Sequence, residues 1–217
     1  MKGVSKYLIL ILIPVGGIIL YLLSNSMNKP IRTLGYYGPK GILNPKNHFI
    51  PDFEFINQFN EKFAQKDVEG KIYVCEYFFT TCKTICPIMN LNLEKVYKTF
   101  SRRNDFLILS HTVNPEEDSS RILLRYAEQH NAVDKNWIFL TGDKKQLYNL
   151  ARKGYLLNAE AGKGDADDFI HTQNFALIDK EKHIRGFYDG TDSLEIERLI
   201  TEIKVLMDEY EFKKNNN

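Results

Sequence analysis

Three cysteines among 217 residues are too few for a disulfide framework, and one tryptophan and a net charge of +1 leave little else that is extreme. Near-zero net charge removes the electrostatic basis for binding nucleic acid. There is no internal repeat and no low-complexity domain, which excludes solenoids and compositionally driven assemblies. No cysteine follows the apolar N-terminal run, so no lipid attachment site is offered there. With thiols this scarce, their placement carries the argument: a pair and a single fit one working dithiol and one bystander.

The pair is Cys82 and Cys86, in Thr80-Thr81-Cys82-Lys83-Thr84-Ile85-Cys86-Pro87, where a predicted buried strand meets a predicted helix. Residues i and i+4 of a helical turn share a face, so two thiolates here can reach one soft ion or close one disulfide. The spacing is one residue wider than C-x-x-C, which keeps metal ligation level with dithiol exchange. The adjoining helix start is expected to lower thiol pKa and hold both sulfurs deprotonated. Cys75 lies in the strand-like run Ile72 to Phe79 and reads as a small buried hydrophobe.

Tyr7 to Leu23 is an uncharged run of 17 residues, preceded by Lys2 and Lys6. That is the short end of what crosses a bilayer and longer than a signal-peptide core, and Ser24-Asn25-Ser26 is a poor cleavage site. The expectation is a signal anchor over residues 1–24, spanning once, with the N-terminus cytoplasmic and the remainder extracytoplasmic (periplasmic in a bacterium). Lys29 and Arg32 nearly balance the inner charges, so the orientation leans on the soluble character of the rest of the chain. Residues 25–49, rich in proline and glycine, read as a linker with a short hairpin at Tyr36-Tyr37-Gly38.

A folded domain is expected over residues 50–210. Phe53 and Phe55 alternate with acids as in an edge strand, and Lys71 to Phe79 forms the stronger central strand. A helix from about Ile85 has Pro87 in its first turn. Strands then follow at 106–110 and 137–140 and helices at 119–130 and 144–153, an alternation that argues for an α/β sheet with helices on both faces. A hairpin (175–178, 184–188), a helix from Ser193 to Tyr210 and a polar tail (211–217) close the chain.

A mixed sheet, a dithiol opening the first long helix and a terminal hairpin plus helix together describe a thioredoxin-like fold. Phe79-Thr80-Thr81-Cys82-Lys83-Thr84-Ile85-Cys86-Pro87 resembles the F-T-x-C-x-x-x-C-P motif of the Sco/SenC copper-chaperone family. Val113-Asn114-Pro115-Glu116-Glu117-Asp118 resembles its V-D-P-x-x-D segment, Leu140-Thr141-Gly142 its L-T-G, and His171-Thr172 its single distal histidine. The resemblance implies a membrane-anchored metallochaperone. It would bind one copper ion, Cu(I) or Cu(II), through Cys82, Cys86 and His171, and help assemble the CuA centre in the copper-bearing subunit of cytochrome c oxidase. A copper donor and a thiol reductant would be further partners. Two sulfurs and an imidazole suit copper chemically.

Ile170 stands where some relatives carry a carboxylate, and Asn114 where the family often has aspartate. A second class stays open, an extracytoplasmic thiol–disulfide oxidoreductase in which Cys82 and Cys86 reduce a partner and His171 is only a neighbour. His48, His111, His130 and His183 are assigned no role. Asp165, Asp167 and Asp168 read as a solvated loop, and Tyr77, Phe78 and Phe79 as core behind the cysteines.

Overall fold

The computed structural model describes residues 18, 32–39, 43–132, 134–157 and 172–216. The chain divides into two units, Met1–Arg32 and Thr33–Asn217, and the sheet with its covering helices belongs to the second. Among the described residues no helix is long and apolar enough to cross a membrane. The expected anchor, Tyr7 to Leu23, lies outside the described residues apart from Ile18.

Seven strands form one mixed sheet: β1 (Glu54–Asn57), β2 (Lys62–Ala64), β3 (Ile72–Phe78), β4 (Phe106–Thr112), β5 (Trp137–Thr141), β6 (Asn174–Ile178) and β7 (Ile184–Asp189), in the order β2-β1-β5-β4-β3-β6-β7. β3, β4 and β5 run parallel, joined through α1 (Cys86–Phe100) and α2 (Ser120–Gln129). The outer strands pair antiparallel. α3 (Lys144–Asn149) continues into a π-helical turn, Leu150–Gly154, and α4 (Ser193–Asn216) closes the chain.

β3 is buried at every position, as a parallel strand covered on both faces must be. Its side chains alternate between two cores. Ile72, Val74 and Phe78 pack with Met89, Leu93 and Val96 of α1, Leu123 of α2 and Leu199 and Ile203 of α4. Tyr73, Cys75 and Tyr77 join Leu107, Leu109, Leu140, Leu147 and Tyr155 on the other face. Gly142 is needed because a Cβ there would meet the Phe55 ring at 2.9 Å.

Four expectations change. Phe55 is not on an edge, because β1 also pairs with β5 and the short β2 takes the outside place. Tyr36-Tyr37-Gly38 forms no local hairpin; Tyr37 makes an isolated antiparallel bridge to Ile184 of β7. The 144–153 helix switches to π-helical geometry at Leu150. The last helix passes Tyr210 and runs to Asn216 instead of fraying.

Candidate metal centre

The parallel ladder ends where the Val113 N–H donates to the Phe78 carbonyl at 2.8 Å, and the chain leaves β3 at its carboxyl end, the usual ligand-binding edge of such sheets. Phe79 to Ile85 make an irregular turn, in which the Cys82 N–H donates to the Phe79 carbonyl at 3.2 Å. Cys82 therefore lies in the loop, and only Cys86 lies in the helix, as its first residue. Pro87 loses nothing at the second helical position, since its N–H would have no partner there.

The two cysteines line the same small cavity but occupy different environments. Cys86 is 3% exposed, whereas Cys82 is half-buried. Partial burial opposes ionisation of Cys82. The N–H groups of Cys86 and Thr84 and the side chains of Cys86 and Thr84 outweigh it and lower the thiol to about 7. Burial pushes Cys86 far up, aided by the neighbouring Cys82 and Glu76. Deprotonation of the pair together is thus corrected to one thiol: the helix start does not offset the loss of water at Cys86. All three cysteines are free, and Cys75 sits wholly buried within β3, where burial raises its pKa.

Tyr77, Phe78, Phe79, Ile85 and Val113 wall a cavity of about 80 Å³ that Cys82, Cys86 and Thr172 also line. The aromatic residues do form the apolar backing of the cysteines. His171 lies outside the described residues, as do Asp165, Asp167, Asp168 and Ile170. Its neighbour Thr172, brought 86 residues along the chain from Cys86, is at the cavity.

Sequence reasoning gave no role to two carboxyl groups near this edge. Glu76, fully buried on β3, accepts from the Ser110 hydroxyl at 2.6 Å, and its other oxygen has no partner among the described residues. Burial raises its pKa to about 8 against the Ser110 hydrogen bond. Asp118, buried at the start of α2, bonds to Thr80. Glu76 looks locally like one polar residue in an apolar strand, and Asp118 was marked only as the end of the Val113–Asp118 segment, with nothing local to show that it is buried.

The remaining histidines are structural in their contacts. His48 bonds to the Gly154 carbonyl at 2.7 Å, His130 to Glu94 at 3.0 Å, and His111 lies fully buried against Tyr77 with no hydrogen-bond partner for either ring nitrogen among the described residues. Among the described residues, Asp179, Glu181 and His183 alone are spaced for a metal ion. Their side chains are already committed: Asp179 to Arg185 and two backbone N–H groups, Glu181 to Tyr210, and His183 to Asp179 and the Lys46 carbonyl.

A reactive thiol half-exposed over a buried partner, at the carboxyl end of a central strand in a thioredoxin-like sheet, defines a dithiol protein of the thioredoxin-like class. Residues 43–208 match the SCO1/SenC family model, and the chain belongs to that family. Among curated relatives, it is 27% identical over 169 residues to the SCO1 protein homolog of Bacillus subtilis, covering 77% of this chain and 87% of the relative. It is 25% identical to a putative copper-binding protein of Stutzerimonas stutzeri, covering 67% and 71%. A solved SCO1/SenC family lipoprotein from Bacillus anthracis superposes with TM-score 0.66 at 28% identity, covering 74% of this chain and 96% of that one. The fold is also that of BsSco, described as a member of the Sco family of cytochrome c oxidase assembly proteins, with TM-score 0.64 at 24% identity, covering 82% and 98%.

Proposed function

We propose that this chain takes up one copper ion through Cys82, Cys86 and His171 and hands it to the copper-bearing subunit of cytochrome c oxidase. The observation that carries this reading is the shared cavity: Thr172, adjacent in sequence to His171, lines the same small space as both thiols. The names of the relatives, one a copper-binding protein and one an oxidase assembly protein, support the same cargo and destination.

The donor set fits the cargo, since thiolates favour Cu(I) and imidazole accepts either oxidation state. Cys82, ionised in part at neutral pH and facing solvent, is the first ligand to engage. Cys86 must give up its proton to ligate, so loading releases a proton that burial had retained. Three donors leave room for a partner's ligand to enter, and release proceeds by exchange as Cys82, the more accessible sulfur, lets go.

In the full protein, residues 1–24 would anchor the chain in the membrane and residues 25–49 would tether the domain on the extracytoplasmic side, with the copper-handling domain from residue 50 onward. Residues 34–37 of that tether are fastened to the domain through Arg185 and Ile184. A copper donor and a thiol reductant complete the set of partners.

The test is Cu(I) titration of the His171→Ala chain. Affinity should fall at least tenfold, on the order of what loss of a metal-supporting group costs, with the fold and disulfide formation unchanged. Unaltered affinity would remove His171 from the site.

The unequal thiols favour one second reading, thiol–disulfide exchange. Cys82 thiolate attacks a partner disulfide, one partner thiolate leaves, and a mixed disulfide forms. Cys86, losing its proton, then attacks the Cys82 sulfur and expels the second partner thiolate. Two electrons pass to the partner and a Cys82–Cys86 disulfide remains for the reductant. Copper bound stoichiometrically by the reduced chain alone, with no turnover of a disulfide substrate, decides for transfer.

A further inference from the structure

Asp118 closes the loop between β4 and α2 and is 1% exposed. Its carboxyl group accepts the Thr80 N–H at 3.2 Å, the Thr80 hydroxyl, and the Thr112 hydroxyl at 2.5 Å. The Thr112 oxygen accepts in turn from the Asn114 N–H at 2.9 Å, so the carboxyl ties two loops at the end of the sheet into one hydrogen-bonded knot. Thr80 stands two residues before Cys82 and 38 residues from Asp118. The tie is therefore long-range, and it reaches the segment that presents the reactive sulfur.

That segment needs a tie wherever no S–S bond closes it. When Cys82 and Cys86 are joined by a disulfide, the S–S bond itself restrains the turn between them. When they are a dithiol, Cys82 is held within its own turn only by its N–H to the Phe79 carbonyl at 3.2 Å and by a contact of its sulfur with the Thr84 hydroxyl at 3.6 Å, so its place also depends on where the preceding residues are fixed. Thr81 and Lys83, which flank Cys82, are exposed and supply no such restraint through burial.

We propose that Asp118 is a positioning residue for the cysteine loop: by holding Thr80 through backbone and hydroxyl together, it maintains the open dithiol arrangement of Cys82 beside Cys86 that receives a metal ion. It acts through Thr80 and hydrogen-bonds to neither sulfur. The inference rests on Cys82 and Cys86 as the working pair. Loss of the tie costs the dithiol and metal-loaded forms more than the disulfide form, because the latter has its own crosslink.

The test uses the full chain and three substitutions, Asp118→Asn, Thr80→Val and Thr80→Ser, each checked for folding by circular dichroism. Two quantities are read: the thiol–disulfide equilibrium of the pair against glutathione, and Cu(I) affinity by competition with a chromogenic chelator. D118N and T80V are expected to shift the equilibrium at least tenfold towards the disulfide, about 30 mV for this two-electron couple, and to weaken Cu(I) binding at least tenfold. T80S, which restores the hydroxyl, should recover both. A T80V chain with the parent's equilibrium, or a T80S chain no better than T80V, overturns the proposal and leaves Asp118 a purely structural residue. If D118N does not fold, the T80V and T80S pair decides. A parent chain that binds no Cu(I) would defeat the copper reading alone, since the glutathione equilibrium tests the tie without metal.

Discussion

Arg185 and Glu76 are both buried ionisable side chains, yet one has every partner it needs and the other does not. The Arg185 guanidinium bonds to the carbonyls of Leu34 and Gly35, to Asp179 at 3.1 Å and to Glu209 at 2.8 Å, and it lies 4.2 Å from the Tyr36 ring centroid. Glu209 also receives the Leu34 N–H at 2.5 Å, so one cation joins the N-terminal segment, the β6–β7 hairpin and α4. At the cysteine end, Glu76 holds one hydrogen bond and leaves an oxygen unpaired, Asn90 leaves its side-chain oxygen unpaired, and Cys86 is buried with a raised pKa. The Arg185 region is built to stay as it is. The cysteine region retains protons and polar atoms without partners among the described residues, and such incompletely satisfied groups concentrate where chemistry happens.

The comparison breaks most severely at Arg185. Replacing it with Met leaves Asp179 and Glu209 buried without their cation and should cost about 3–5 kcal/mol of unfolding free energy in a urea titration. Thiol reactivity of whatever fraction remains folded should not change; a loss below about 1 kcal/mol would show that the ion pairs are dispensable.

At the other end, Glu76→Gln removes a group whose pKa rises from 4.5 to about 8 on folding. The folded chain then binds the extra proton between those values, so this group favours folding below about pH 4.5 and its contribution is lost as pH rises towards 8. The Gln variant should lack this decline, gaining a few kcal/mol over the parent across that window. Parallel stability–pH curves for the two chains would contradict the assignment.

A smaller effect separates the two thiols. Alkylation of the reduced Cys86→Ser chain should rise with a midpoint below that of an ordinary thiol, set by Cys82, whereas Cys82→Ser should be slow across the neutral range. Equal rates in both variants would erase the asymmetry. The smallest change is expected from Cys75→Ser, which should still bind one copper ion per chain, because that thiol lies inside β3 and lines no part of the cysteine cavity. Loss of stoichiometry would indict the wrong pair.

Much of the fold was legible from local pattern. The mostly apolar run of β3, the periodic faces of α1 and α4 and the turn residues between β6 and β7 are short-range signals, and their elements appear within a few residues of the expected bounds. What was misread depended on distant partners. β1 looked like an edge because β2 carries only three residues and little pattern of its own, and Tyr36-Tyr37-Gly38 looked like a turn because nothing nearby reveals the bridge to Ile184. The cysteine pair was visible as spacing, but its inequality was not, since burial of Cys86 is imposed by elements far along the chain.

By itself the sequence determined which atoms are available, two sulfurs four residues apart at a strand-to-helix junction and several downstream histidines of which the family resemblance points to His171, because spacing and residue type are local properties. Tertiary structure alone decided that Cys82 meets solvent while Cys86 does not, that Thr172 joins them at one cavity, and that Asp118 reaches back 38 residues to hold Thr80. Those are consequences of solvent exclusion and long-range hydrogen bonding, which exist only once the sheet and its helices have closed.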